Sequence, residues 1–278
     1  MKFTKMHGIG NDYIYVNAIE EKVENPSELS KNLSKYHFGV GADGLVLILE
    51  SEVADFRMRM FNPDGTEAEM CGNASRCVAK YVYEKGLTNK TNFTIETGAG
   101  IKNVWLHIAD GDVETVTIDM GEPVLKPSLI PTILTDAEPV LMQKLTNDNG
   151  EYLVNCVSMG NPHCVIFREG IALVDIKKEG AAIECHPAFP NRTNVEFAEV
   201  IDSKTIKMRV WERGTGETLA CGTGACATLV AARLNGLCDS KVTLKLLGGD
   251  LQIEWNEADN HIYMTGAAVT IFEGRVND

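Results

Sequence analysis

The two stretches MRMFNPDGTEAEMCGNASRCVAKYVYEKGL (residues 58–87) and MRVWERGTGETLACGTGACATLVAARLNGL (residues 208–237) decide the fold. Laid over each other at an offset of 150, they match Met58-Arg59 to Met208-Arg209, Glu67 to Glu217, Cys71-Gly72 to Cys221-Gly222 and Gly86-Leu87 to Gly236-Leu237. Carried outward, the same frame matches Gly10-Asn11 to Gly160-Asn161, Gly98 to Gly248 and Trp105 to Trp255. Chance matches drift in spacing, whereas a frame that holds without a gap over so long a span marks an internal duplication. Beyond Trp105 the frame shifts to 145, with Asp119-Met120-Gly121 resembling Met264-Thr265-Gly266, as a shorter loop in the second half would produce.

Each copy reads the same way. Phe56 to Phe61 and Ile206 to Trp211 alternate apolar with charged or polar residues, the period-2 pattern of half-buried strands. Glycine-bearing turns follow at 62–65 and 214–216. An alanine-rich apolar stretch then opens just after each Cys-Gly pair, over 73–85 and 223–235, and stops at Gly86 and Gly236, where a left-handed residue closes a helix. The second stretch, GACATLVAARL, is small and apolar nearly all round, which predicts burial. Strand-like segments at 92–96, 104–107, 113–119, 242–247 and 251–255 can wrap the two helices. The expected fold class is α+β: two pseudo-symmetric domains from an internal duplication, each a barrel-like mixed β-sheet wrapped around a central α-helix.

Composition removes several classes of function. A net charge of -13 and a pI near 5.0 exclude a nucleic-acid partner, because phosphate binding needs a basic face. Glycines and polar residues at 8–12 interrupt any signal-like apolar run, and the longest aliphatic stretch, 45–49, is far too short to span a bilayer, so a cytoplasmic protein without membrane partners is expected. Eight cysteines occur, none in a CxxC spacing, which removes the commonest zinc and dithiol motifs. His163-Cys164 and Cys185-His186 offer four conceivable metal ligands, but adjacent residues in extended chain point to opposite sides, and no metal site is expected.

The chemistry rests on the duplicated cysteines. A thiol at a helix start faces unpaired backbone N–H groups and the positive end of the helix dipole, so its pKa is expected to fall from about 8.5 toward neutrality. One such thiol has many uses; the same position in both repeats suggests opposed acid and base on one stereocentre. One thiolate then removes an α-proton while the other thiol delivers a proton to the opposite face of the carbanion. A hydrolase has no reason to duplicate its nucleophile. Gly72, Asn73, Gly222 and Thr223 at the two helix starts can offer N–H groups to the substrate carboxylate as it gathers charge. The glycine clusters GIGND and FGVGADG lack the strand-to-helix setting of phosphate loops.

At these residues the chain resembles the diaminopimelate epimerase family, through KMHGIGNDY (5–13), GADGL (41–45), FNPDGTEAEMCGNASRC (61–77), GNPHC (160–164), NRTNVEF (191–197) and VWERGTGETLACGTGACA (210–227). The resemblance implies conversion of LL-2,6-diaminopimelate to the meso isomer, with neither pyridoxal phosphate nor metal, in lysine and peptidoglycan biosynthesis. It implies that Cys71 and Cys221 are the two catalytic bases and that Asn11 lies near the reacting end of a diamino diacid. Asn62, Asn161, Asn194, Glu212 and Arg213 would hold its distal end, and His163 would line the site and support catalysis. Arg213 offers a fork for a carboxylate and Glu212 a counter-charge for an ammonium. Some members carry Gln where this chain has Gly44, so that side-chain contact is missing, with Asp43 or water as substitutes. The resemblance also implies a homodimer and a last strand that returns to the first domain, giving domains of 1–119 plus 267–278 and 120–266. Two alternatives stay open: a related racemase of proline, hydroxyproline or histidine, and a redox or binding protein in which the two thiols pair. Glu67 and Glu217, each four residues before a cysteine, either brace their loops or touch substrate.

Overall fold

Both cysteine-led stretches form helices that begin one residue after the thiol, Gly72–Glu84 and Gly222–Leu234, in a computed structural model that describes residues 1–276. The chain divides into two compact units, Met1–Asp119 completed by a returning segment that starts at Thr265, and Met120–Met264.

In the first unit the strands are β1 (Lys2–Gly8), β2 (Asn11–Asn17), β3 (Leu45–Leu49), β4 (Phe56–Phe61), β5 (Glu67–Ala68), β6 (Asn92–Thr97), β7 (Gly100–Ala109) and β8 (Asp112–Gly121), with helices α1 (Pro26–Leu33) and α2 (Gly72–Glu84). β1 and β2 form a hairpin whose turn, Ile9-Gly10, has positive φ at both residues, the geometry that suits a two-residue connection. β2 pairs parallel with β3, β3 antiparallel with β4, β4 parallel with β6, and β6–β7–β8 continue antiparallel.

The second unit repeats this plan. It holds β9 (Val140–Asn147), β10 (Gly150–Ser158), β11 (Pro162–Phe167), α3 (Ile176–Glu184), β12 (Asn194–Asp202), β13 (Thr205–Glu212), β14 (Gly216–Thr218), α4 (Gly222–Leu234), β15 (Lys241–Leu246), β16 (Gly249–Asn256) and the start of β17 (His261–Ala267), whose end belongs to the returning segment. β11 pairs parallel with β12, β12 antiparallel with β13, β13 parallel with β15, and β15 antiparallel with β16. Even the register follows the offset: Met60 pairs with Ala68 and Val210 with Thr218, while Ile14 pairs with Leu45 and Cys164 with Val195. The last strand, β18 (Val269–Arg275), returns to the first unit and lies antiparallel to β1.

Each central helix is the apolar centre its strands wrap. α2 packs on β1, β2 and β7, and α4 on β10, β11, β12 and β16. Both stop the same way, with Gly86 and Gly236 in the left-handed region. The N–H of Gly86 bonds Tyr83 and that of Leu87 bonds Val82, matched by Gly236 on Arg233 and Leu237 on Ala232, which satisfies carbonyls the helix end would orphan. Cys77 and Cys226 lie in these helices as buried packing residues.

The two glutamates ahead of the cysteines brace their loops. Arg59 grips Glu67 through Nε and Nη2 at 2.7 and 2.8 Å, and Arg209 holds Glu217 at 2.8 Å, the same ion pair in both copies. These pairs are partly exposed, so each is worth little in water. Glu67→Ala should cost less than about 1 kcal/mol in a denaturant titration and leave turnover within about twofold. A large loss of activity at an intact fold would return Glu67 to the substrate.

Candidate active site

In the first unit Cys71 caps α2 with extended backbone, φ −138° and ψ 119°, and its side chain makes no capping bond of its own. The thiol donates instead to Asn11 Oδ1 at 3.4 Å, and the Asn73 amide donates to the same oxygen at 3.3 Å. Asn11 is held from behind, its amide donating to Asp43 Oδ2 at 2.8 Å, where the Asp12 N–H also donates at 3.0 Å. Burial pushes the Asp43 carboxyl above its usual range, against the pull of those two donors. Lys5 in turn pairs with Asp12 and donates to the Gly41 carbonyl. Gly44, next in the chain, has φ 149°, and a Cβ there would lie 2.2 Å from the Phe61 carbonyl oxygen, so this backbone takes only glycine. Asp43 is the side chain that this loop contributes. Asn62 sits in the turn after β4, its amide donating to Thr66 Oγ1 at 3.0 Å.

In the second unit Cys221 caps α4 with φ −126° and ψ 108°, and its sulfur lies 3.5 Å from Thr223 Oγ1. His163 on β11 and Glu196 on β12 are both fully buried and meet at 2.7 Å through Nδ1, while His163 Nε2 lies 3.0 Å from Asn161 Oδ1. Asn194 donates to the Pro162 carbonyl at 2.8 Å and accepts the Arg213 N–H at 2.9 Å. The Arg213 guanidinium is exposed and donates to the Asn191 carbonyl at 3.1 Å. Thr218 donates to the Glu212 carboxylate.

The expected lowering of thiol acidity constants is corrected at Cys221. Burial pushes this thiol well above the ordinary cysteine range, the Glu212 and Glu196 charges push the same way, and the Thr223 and Gly224 donors pull back only in part. Magnitudes explain the outcome, since a helix terminus is worth up to about 2 kcal/mol, a pKa unit or so, whereas full burial moves a group by as much as 3–5 units. Cys221 therefore rests as the thiol. Burial raises Cys77 and Cys238 to about 11 each and lifts Cys164 as well. For each of these the folded chain keeps a proton that the unfolded chain releases, so the stabilisation is full below about pH 8.5 and declines as pH climbs toward the raised folded values. Melts from about pH 7 to about pH 10 should show a falling Tm, with a shallower alkaline decline in Cys221→Ala; a flat profile in the wild type would contradict this.

Two structural residues escaped the sequence reading. Arg76, fully buried in α2, donates to Asn73 Oδ1 at 2.7 Å and to the Ala267 carbonyl at 3.3 Å. Glu184 at the end of α3 accepts Trp211 Nε1 at 2.7 Å and the Gly214 N–H at 2.8 Å, tying down the turn behind Glu212-Arg213. The repeat frame carried a signal for Arg76, which stands opposite Cys226 in an otherwise apolar helix. Among the described residues no cluster of three or more metal-ligating side chains occurs, and no helix is long and apolar enough to cross a membrane.

The duplicated fold is shared by a set of solved structures. A Bacillus anthracis phenazine biosynthesis protein of the PhzF family superposes with TM-score 0.73 at 19% identity, over 100% of this chain and 99% of that one. A hydroxyproline epimerase from Agrobacterium vitis superposes with TM-score 0.72 at 15% identity, over 99% and 91%. Identities this low speak for the fold alone. Within that class the chain belongs to the diaminopimelate epimerase family, whose sequence model matches residues 3–126 and 155–271. The diaminopimelate epimerase of Acetivibrio thermocellus is 60% identical over 277 residues, covering 100% of this chain and 99% of its own. That of Methanococcus maripaludis strain C5 is 59% identical over 277 residues, covering 100% of both.

Proposed function

We infer that this chain is a cofactor-independent isomerase that epimerises LL-2,6-diaminopimelate to the meso isomer, the step that feeds lysine and peptidoglycan synthesis. One observation carries the reading: each copy of the repeat opens its buried central helix with a cysteine followed by glycine, at Cys71-Gly72 and Cys221-Gly222. Two equivalent thiols suit an inversion, in which one face of the α-carbon loses a proton and the other gains one. Full-length identity to diaminopimelate epimerases selects the substrate.

The proton inventory follows from the thiols. Cys221, held protonated by burial and by two carboxylates, is the donor of the resting enzyme, and Cys71 acts as the base in its thiolate form, once it has given up the proton it shares with Asn11. The C–H bonding pair stays on the α-carbon as a carbanion while its proton passes to Cys71 sulfur, and the Cys221 proton then forms the new C–H bond. The N–H groups of Gly72, Asn73, Gly222 and Thr223 receive the α-carboxylate as charge spreads onto it. Asn11, already bonded to the Cys71 thiol, sits at the reacting end. Glu212 and Arg213 answer the distal ammonium and carboxylate, with Asn62, Asn161 and Asn194 as neutral partners. That charged pair stands where the first repeat has Asn62-Pro63, so recognition comes from one half while chemistry is divided between both. The same reading includes a cytoplasmic location, in keeping with an exposed cysteine at 185, and a homodimer, for which sedimentation would return twice the 30.4 kDa chain mass.

The deciding experiment follows α-hydrogen exchange in deuterated water with diaminopimelate, proline, hydroxyproline and histidine side by side. Exchange and inversion confined to diaminopimelate are expected. No turnover of diaminopimelate would sink the reading.

A further inference from the structure

The duplication supplies an internal control for one buried strand position. In the shared frame Glu196 of β12 stands where β3 carries Val46, His163 of β11 where β2 carries Tyr13, and Gly224 of α4 where α2 carries Ala74. The register is the same in both copies, for Val46 pairs with Tyr15 and Met60 while Glu196 pairs with Val165 and Val210. Both residues are 0% exposed. An aliphatic side chain therefore fills this place adequately, and the fold itself has no need of a carboxylate.

A buried carboxylate is costly unless its oxygens are bonded. Glu196 Oε1 meets His163 Nδ1 at 2.7 Å, but Oε2 is buried with no hydrogen-bond partner. The neighbouring backbone is adapted to it. A Cβ on Gly224 would lie 2.6 Å from Glu196 Oε1 and 3.3 Å from Cys221 Sγ, so the glycine makes room for the carboxylate at the first turn of α4, beside the thiol. In the first unit the matching Ala74 is simply buried. The His163 ring, meanwhile, faces Glu196 Oε1 on one side and Asn161 Oδ1 on the other. The Glu196 carboxylate takes the Nδ1 hydrogen and so fixes the ring's orientation, while the Asn161 side-chain amide meets Nε2 from the other side. Three residues of the second copy thus depart together from the first, and they meet around one carboxylate.

We propose that Glu196 is a positioning residue of this enzyme: it anchors the His163 ring through Nδ1 and, seated against Gly224, holds that ring in a fixed relation to the first turn of α4 and the Cys221 thiol. The proposal rests on the epimerase reading given above. The titratable groups around Glu196 are His163, Cys221 and Cys164, and its charge works with that of Glu212 on Cys221.

The test restores the first unit's residues in the full chain, Glu196→Val with Gly224→Ala. Removing one member of a buried pair leaves the His163 ring without its partner, so the Tm should fall, and kinetics are read on the fraction that remains folded. With diaminopimelate, kcat should fall about 10- to 100-fold, the size of the loss when a carboxylate that orients a metal-bound histidine is removed, while KM stays within about twofold. In 15N spectra of ring-labelled protein, the His163 Nδ1–H signal of the wild type should shift or be lost. Glu196→Gln keeps the shape and removes the charge, and should show the same fall in kcat and the same spectral change should the double variant not fold. Wild-type kcat together with an unchanged His163 spectrum in either variant overturns the proposal. If the wild-type chain does not turn over diaminopimelate, the functional reading fails by itself; the ring spectrum of Glu196→Gln still decides whether Glu196 anchors His163.

Discussion

On the two-thiol mechanism proposed above, Cys221→Ala and Cys71→Ala should each lower epimerisation of diaminopimelate by at least about 10³-fold, since each would delete one partner of a general acid/base pair worth about 10²–10⁴. The two variants should fail in complementary ways. Each keeps one thiol, which can still remove an α-proton from the isomer presenting its hydrogen to that side and return a solvent deuteron to the same face. In deuterated water, one variant should therefore wash out the α-hydrogen of one diaminopimelate isomer without inverting it, and the other variant should do so with the opposite isomer. Proton NMR of each isomer with each variant reads both quantities at once. Retained inversion in both single variants would rule out two-base chemistry, and equal exchange of both isomers by one variant would assign the proton transfers elsewhere. Far-ultraviolet circular dichroism should be unchanged, because each helix is held chiefly by its buried apolar packing rather than by its cap side chain.

What could be read in advance follows the distance over which each property is decided. The positions of Cys71 and Cys221 at helix starts are local, set by the Cys-Gly pair, the following apolar run and a closing glycine, and the repeat stated them twice. Strand boundaries were legible for the same reason, since alternation from Phe56 to Phe61 and Ile206 to Trp211 is a short-range pattern. The acidity of Cys221 is not local. It depends on β12 bringing Glu196 and the end of β13 bringing Glu212 to a thiol that α4 has buried, so a rule built on the helix terminus alone returns the wrong direction. Asn62 illustrates a third case. Its turn was readable, but the bond from its amide to Thr66 belongs to the turn, and a role toward substrate rests on family resemblance. Glu196 was passed over because a lone glutamate in a motif ordinarily faces water, whereas its strand is buried along its whole first half. Its opposite number Val46 was the signal that this face is buried.

Arg76→Ala should be the most destabilising single change among the residues around the first cysteine. Arg76 is fully buried, and its guanidinium donates to Asn73 Oδ1 at 2.7 Å and to the carbonyl of Ala267, 191 residues away on the returning segment. Truncation leaves the buried Asn73 oxygen without this donor, at about 1–3 kcal/mol, removes the bond to the half-buried Ala267 carbonyl, and opens a cavity in α2 besides. A net loss of about 3–5 kcal/mol is expected against the 5–15 kcal/mol of a whole domain. The effect should extend to chemistry, because Asn73 shares with Cys71 the oxygen of Asn11. With Asn73 unanchored, Asn11 loses one of the two donors on its oxygen, and kcat should drop in the fraction of protein that remains folded. Arg76→Lys should not rescue, since an ammonium cannot span two acceptors as a planar fork does. Denaturant titration and turnover measured on the same preparations separate the two effects. A stability loss under about 1 kcal/mol would mean that water readily replaces the guanidinium, and that Arg76 does not join the helix to the returning strand.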